Sequence, residues 1–173
     1  MNDIKLSNSE KISLKLYNDI NNKYPVLVDK VFKARYCDID PTFLGFVDKY
    51  YHLSKIIPKH FTILDLGCAY AFQAWYFRNH KEYIGVDINC TGEPILKLPL
   101  DNMEYHINDI ETEIKFWDIN KTKEVFAICN YVPLKQEVQQ ELKSKFANLF
   151  IFYPSGYYDI KNKRIKSKVG DFK

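Results

Sequence analysis

The chain has 173 residues, 46% of them hydrophobic and 16% aromatic, enough to fill one core, and with 27% charged residues and no low-complexity tract it is not a disordered chain. Its longest apolar runs, such as Leu149-Phe150-Ile151-Phe152-Tyr153, are strand-sized, so no transmembrane helix and no membrane partner are expected. The net charge of +3 is local: residues 157–173 hold six Lys or Arg against Asp159 and Asp171, which leaves the rest of the chain slightly acidic. The start, Met1-Asn2-Asp3-Ile4-Lys5-Leu6, lacks the basic and apolar regions of a secretory signal, and the expected compartment is the cytoplasm. Cys37, Cys68, Cys90 and Cys129 form no C-x-x-C pair and read as buried structural thiols; the four histidines show no ligand spacing, and no metal is expected.

In chain order, Ser7 with Glu10 three residues on is a capping box, and Ile12, Leu16 and Ile20 recur at helical spacing behind it. This predicts a helix from Asn8 to Lys23, stopped by Pro25. The stretch Val26 to Cys37 has no clean period, and its conformation stays open. Asp40-Pro41 reads as an N-cap followed by proline in the first turn, and Phe43, Leu44, Val47, Tyr50, Tyr51 and Ser54 carry a second helix toward Pro58.

From Thr62 the pattern changes to short apolar strands separated by amphipathic segments, the signature of a parallel sheet covered by helices. The predicted strands are Thr62–Leu66, Tyr83–Asp87, Glu104–Asn108, Val125–Cys129 and Leu149–Tyr153. Helical segments are expected at Ala71–Arg78, Glu111–Phe116 and Leu134–Phe146, the last with Glu137/Glu141 and Lys143/Lys145 on polar faces. The fold class is α/β: a Rossmann-like, doubly wound, mostly parallel sheet with helices on both faces. One domain is expected, with a helical region over 1–60, a core over 61–156 and a basic hairpin or tail over 157–173.

The segment Ile63-Leu64-Asp65-Leu66-Gly67-Cys68-Ala69-Tyr70-Ala71-Phe72 is a strand, a tight small-residue turn and a helix start. Small residues there let backbone N–H groups approach a ligand, beyond the carboxyl ends of the strands where open α/β sheets bind nucleotide-like molecules. This run resembles the first motif of the Rossmann-like, class I S-adenosylmethionine (SAM) methyltransferases, hydrophobic-hydrophobic-Asp/Glu-x-Gly-x-Gly-x-Gly, with Ala69 and Ala71 standing at the second and third glycine positions. The resemblance implies a SAM-binding fold in which Gly67, Cys68 and Ala69 lie beside the methionine group and Asp65 supports the turn or the cofactor amine. Alanine is expected to be accommodated by a negative φ at Ala69.

The next strand, Tyr83-Ile84-Gly85-Val86-Asp87, ends in a carboxylate 22 residues after Asp65, an acceptor for the two hydroxyls of a ribose. It resembles the family's second motif, which adds Asp87 and Ile88 to the cofactor set. After Tyr105-His106-Ile107-Asn108 comes Asp109-Ile110, which resembles the adenine position, with Asp109 near the exocyclic amine and Ile110 against the ring. The alternative for Asp109 is a helix N-cap. Ala127-Ile128-Cys129-Asn130-Tyr131-Val132-Pro133 is similar to the Asn-Pro-Pro-Tyr motif of amino methyltransferases at Asn130 alone. The reading for Asn130 is a cap or turn residue; in an enzyme, Asn130 and Tyr131 would border the methyl-transfer point as substrate-binding residues.

The expected function is therefore SAM-dependent methyl transfer to an acceptor that no motif names. The alternative is a non-catalytic binding or regulatory protein on the same fold, motivated by the two alanines. A nicotinamide oxidoreductase is disfavoured because the turn lacks G-x-G-x-x-G spacing. The tail Tyr157–Lys168 mixes aromatic and cationic residues as nucleic-acid surfaces do, but a lysine-protected edge hairpin over Tyr157–Val169 explains it as well; nucleic acid is the less favoured partner.

Overall fold

A computed structural model of the chain describes residues 7–29, 47–69, 71–88, 98–118, 120, 122–130, 134–152 and 171–172. The Asp40-Pro41 cap, most of Val26–Cys37, Cys90, Tyr131 and the Tyr157–Val169 hairpin lie outside these residues.

Helix α1 spans Asn8–Lys23. Ser7 Oγ accepts from the Glu10 N–H while the Glu10 carboxylate accepts from the Ser7 N–H, so the capping box is reciprocal. Tyr24 caps the other end, and residues 25–29 are again helical, so Pro25 opens a short helical segment as well as closing α1. Helix α2, Val47–Ile56, turns Tyr50, Leu53 and Ser54 inward.

The strands are β1 (Thr62–Leu66), β2 (Glu82–Asp87), β3 (Met103–Ile107), β4 (Val125–Asn130), β5 (Asn148–Phe152) and β6 (Asp171–Phe172). They form one sheet in the order β3-β2-β1-β4-β5-β6, with the first five parallel and β6 antiparallel to β5. The sheet thus continues past β5 into β6. Chain order reverses direction between β1 and β4, which makes the carboxyl end of β1 the topological switch point.

Because a strand presents alternate residues to opposite faces, β1 serves two cores at once. Ile63 joins α1, α2 and the Phe72–Phe77 segment through Leu16, Ile20, Leu53 and Phe77; Leu64 and Leu66 join the opposite layer with Ile114, Val138 and Leu142. That second layer holds the short helix α3, Ile110–Glu113, and α4, Gln136–Lys145, whose Glu141 and Lys145 form a part-buried ion pair at 3.1 Å.

Two helical expectations are corrected. Residues Phe72–Phe77 form a 3-10 helix, entered from Ala71 in the left-handed region. The six-residue segment packs Phe72, Ala74, Trp75 and Phe77 inward, and this burial outweighs the poorer hydrogen-bond geometry of 3-10 turns. The Glu111–Phe116 segment starts one residue early and tightens into 3-10 geometry over Ile114–Phe116. Among the described residues no helix is long and apolar enough to cross a membrane.

Candidate functional site

Register places the motif residues side by side. Leu66 pairs with Val86, and Asp87 with Ile107, so Gly67, Asp87 and the Asn108-Asp109 pair emerge at neighbouring carboxyl ends of β1, β2 and β3. The Asn108 N–H donates to the Asp87 carbonyl at 3.1 Å, which ties the second and third strand ends together.

The turn after β1 is closed by its own backbone. The N–H groups of Gly67 and Cys68 both donate to the Val86 carbonyl, at 2.8 and 3.1 Å. Gly67 has φ 82°, Ala69 φ 48° and Ala71 φ 53°. The expectation of negative φ at Ala69 is therefore wrong: both alanines occupy the left-handed region, at a cost of roughly 1–2 kcal/mol each. Hydrogen bonds hold Ala69 there, since its N–H donates to Asp87 Oδ2 at 2.7 Å and its carbonyl accepts from the Tyr105 hydroxyl at 2.9 Å. The expectation of free N–H donors facing a ligand is likewise not met at Gly67, Cys68 or Ala69.

Asp65 lies under the turn with no exposed surface. Its Oδ1 accepts from the Tyr50 hydroxyl at 2.8 Å; its Oδ2 accepts from Gln73 Nε2 at 2.9 Å and from the Tyr83 hydroxyl in a short bond. Gln73 Nε2 also reaches the Cys68 carbonyl at 2.8 Å, so the carboxylate supports the turn through a shared donor. Burial pushes the Asp65 carboxyl up to about 6 against the pull of these hydrogen bonds. Tyr50, Gln73, Tyr83 and Tyr105 are the residues that motif reading misses. The available signal is tyrosine at inward positions of α2, β2 and β3, where a buried hydroxyl needs a partner.

At position 85 a side chain would crowd its neighbours. A Cβ there would meet Cys68 Sγ at 2.9 Å, Tyr105 Cδ2 at 3.2 Å and Tyr83 Cε1 at 3.3 Å. The missing side chain leaves room for Cys68 Sγ against β2. Cys68 and Cys129 are both buried free thiols.

Asp87 is half-buried, and burial raises its carboxyl pKa against the opposing hydrogen bonds from the Ala69 and Ile88 backbones. Ile88, next to it, leaves 55% of its surface exposed. Asp109 is the N-cap of α3, its Oδ1 accepting from the Thr112 N–H at 2.8 Å, which is the capping alternative. Ile110 is buried in the second apolar layer. Asn130 closes β4 opposite Phe152.

No family model and no curated protein sequence matches the chain. Solved methyltransferase structures do resemble it in fold. Phosphoethanolamine N-methyltransferase 1 of Haemonchus contortus, solved with phosphoethanolamine and S-adenosylhomocysteine, superimposes with a TM-score of 0.50 at 10% identity, over 95% of this chain and 38% of that one. The plantazolicin methyltransferase BpumL, in complex with a monoazolic desmethyl analogue and S-adenosylhomocysteine, gives 0.49 at 13% identity, over 84% of this chain and 60% of that one. An rRNA methylase from Streptococcus thermophilus gives 0.46 at 14% identity, over 66% and 71%. The chain therefore spans between 38% and 71% of the length of these proteins. The sheet order and the antiparallel sixth strand, together with this likeness, define a Rossmann-like α/β fold.

Proposed function

We propose that this chain binds SAM at the carboxyl ends of β1, β2 and β3 and transfers its methyl group to an acceptor. The observation that carries the reading is the juxtaposition, at the switch point, of a left-handed small-residue turn with Asp87 and Asp109 on the two adjacent strand ends. Asp87 is the acceptor for a ribose diol through the lone pairs not taken by the Ala69 and Ile88 N–H groups, and the exposed Ile88 side chain beside it suits the edge of a planar ring. Gly67, Cys68 and Ala69 line the methionine end. Asp65 acts beneath them as the post that fixes the turn. Asp109, whose Oδ1 caps α3, presents its exposed carboxylate to an amine donor, and Ile110 packs below as part of the wall's support.

When bound, the cofactor supplies a methyl group on a sulfonium, already a good leaving group, so the protein's part is to position the acceptor in line with it. Asn130, at the end of β4 across the switch point, is assigned to that position; Tyr131, the next residue in the chain, lies outside the described residues. A dinucleotide fits less well. Its pyrophosphate needs N–H donors and a helix start after β1; here the N–H groups of Gly67, Cys68 and Ala69 are engaged within the protein, and a six-residue 3-10 segment follows.

Asp87→Ala is expected to weaken S-adenosylhomocysteine binding, measured by calorimetry, about tenfold or more, since hydrogen bonds to an ionised acceptor contribute about 1.5–3 kcal/mol. Equal affinity in native and variant protein, or binding of NAD in place of SAM, overturns the assignment. The Ala69 N–H already held by Asp87 favours a second reading, a binding protein on this fold without turnover. Transfer of labelled methyl from SAM to candidate amine acceptors separates the two.

A further inference from the structure

Away from the strand ends, α1, α2 and the 3-10 segment enclose an open groove of about 320 Å³, within the size range of small-ligand pockets, roughly 300–1,000 Å³. Its walls carry Lys11 and Lys15 from α1, Lys55 from α2 and Arg78 from the end of the 3-10 segment; among the described residues Asp19 is the one carboxylate in the lining. Lys15 is cancelled by Asp19 at 2.9 Å, which leaves Lys11, Lys55 and Arg78 as a surplus equal to the net charge of the whole chain. Lys59 stands close enough that Lys55 and Arg78 both disfavour its charged form, after the larger effect of burial. So much like charge in one place costs stability unless an anion settles it.

Two of these three cations are held on aromatic rings. Lys55 Nζ sits 5.0 Å from the centre of the Tyr51 ring, and the Arg78 guanidinium 4.6 Å from that of Trp75, with a second bond from Arg78 to the Trp75 carbonyl at 2.7 Å. Heads already fixed in this way lose less freedom when an anion arrives. Tyr51 and Tyr76, half-buried and edge to face at 5.6 Å, supply an apolar wall beside them. Charge for a phosphate and an aromatic surface for a flat ring therefore lie within one cavity.

The geometry points to a nucleotide-binding site in this groove, taking a base and its phosphate either as a free nucleotide or as one unit of a single-stranded nucleic acid. It shares no residue with Gly67, Asp87 or Asp109 and does not depend on their reading.

The test uses Trp75 as the reporter. Trp117 belongs to the opposite layer, so a Trp117→Phe background isolates Trp75 emission. Uridine monophosphate, a short oligouridylate and inorganic phosphate are titrated in turn, uridine being chosen to avoid an adenine site. Uridine monophosphate or the oligomer, or both, are expected to quench Trp75. In Lys11→Gln/Lys55→Gln protein with an unchanged thermal midpoint, that affinity should fall at least tenfold, and the oligomer's dependence of log K on log salt should flatten by about one for each phosphate no longer neutralised. Response to the monophosphate assigns the free ligand, and response to the oligomer alone assigns the strand. No response to either, phosphate binding as tightly as the nucleotide, or a double variant that binds as the native protein does overturns the site.

Discussion

Ala69→Gly tests the turn most directly. Ala69 is held at φ 48° by two hydrogen bonds, from its N–H to Asp87 and from Tyr105 to its carbonyl, so the residue cannot relax to negative φ without giving up both. An L-residue in the left-handed region costs about 1–2 kcal/mol, and glycine removes that cost. Against this, glycine loses more backbone freedom on folding, about 0.4–1 kcal/mol relative to alanine. The difference is a net stabilisation of about 0.5–1 kcal/mol, or a rise of about 1–4 °C in Tm for a chain of this size. Urea unfolding at equilibrium is the assay, and the midpoint should rise with the slope unchanged. Because the native turn already has the left-handed shape, glycine alters its strain and not its form, and SAM affinity should move by less than about threefold, well under one tenfold step. A lower midpoint would refute the strain argument, and a large gain in affinity would favour the non-catalytic reading, in which alanine obstructs the cofactor.

Gly85→Ala should destabilise by about 1–3 kcal/mol, because its Cβ would press on Cys68 Sγ at 2.9 Å and on two tyrosine rings; thermal unfolding measures it, and an unchanged midpoint would mean that the turn yields freely. Asp65→Asn should change the pH dependence of stability. Burial raises the Asp65 carboxyl from 3.8 to about 6, so the folded chain holds the proton more tightly than the unfolded chain, and the stability from this group, complete below 3.8, is lost as pH rises through 6. The loss is about 3 kcal/mol. Unfolding free energies between pH 4 and 7 should therefore fall less steeply in the Asp65→Asn protein than in the native one, and equal slopes would show that Asp65 is not the titrating group.

The parts legible from residues alone are those in which neighbours along the chain set the energetics. The capping box places α1 at Asn8–Lys23 because Ser7 and Glu10 bond to each other's backbone, and the apolar run Thr62–Leu66 bounds β1 because the period of the pattern changes there. Strands β2 to β5 fall within a residue of their expected limits for the same reason, whereas β6 lies beyond the Tyr157–Val169 span expected for a hairpin, and Asp87 and Asp109 reach the edge where their strands end.

Interactions between distant residues decide the remainder. The local bond from the Ala71 N–H to the Cys68 carbonyl closes a turn across Ala69, but Asp87, 18 residues on, and Tyr105, 36 residues on, fix its own N–H and carbonyl. Asp65 reads locally as a candidate ligand to a cofactor amine. Whether it faces a ligand or serves as a post depends on Tyr50 and Tyr83, brought to it from α2 and β2 only by packing against one face of the sheet. The same holds for the 3-10 turn at Phe72–Phe77 and the burial of Ile110, where filling an apolar layer outweighs the local preference of a short segment. Short-range bonding thus settles where the elements lie, and which atoms remain for chemistry at the carboxyl edge is settled by long-range packing.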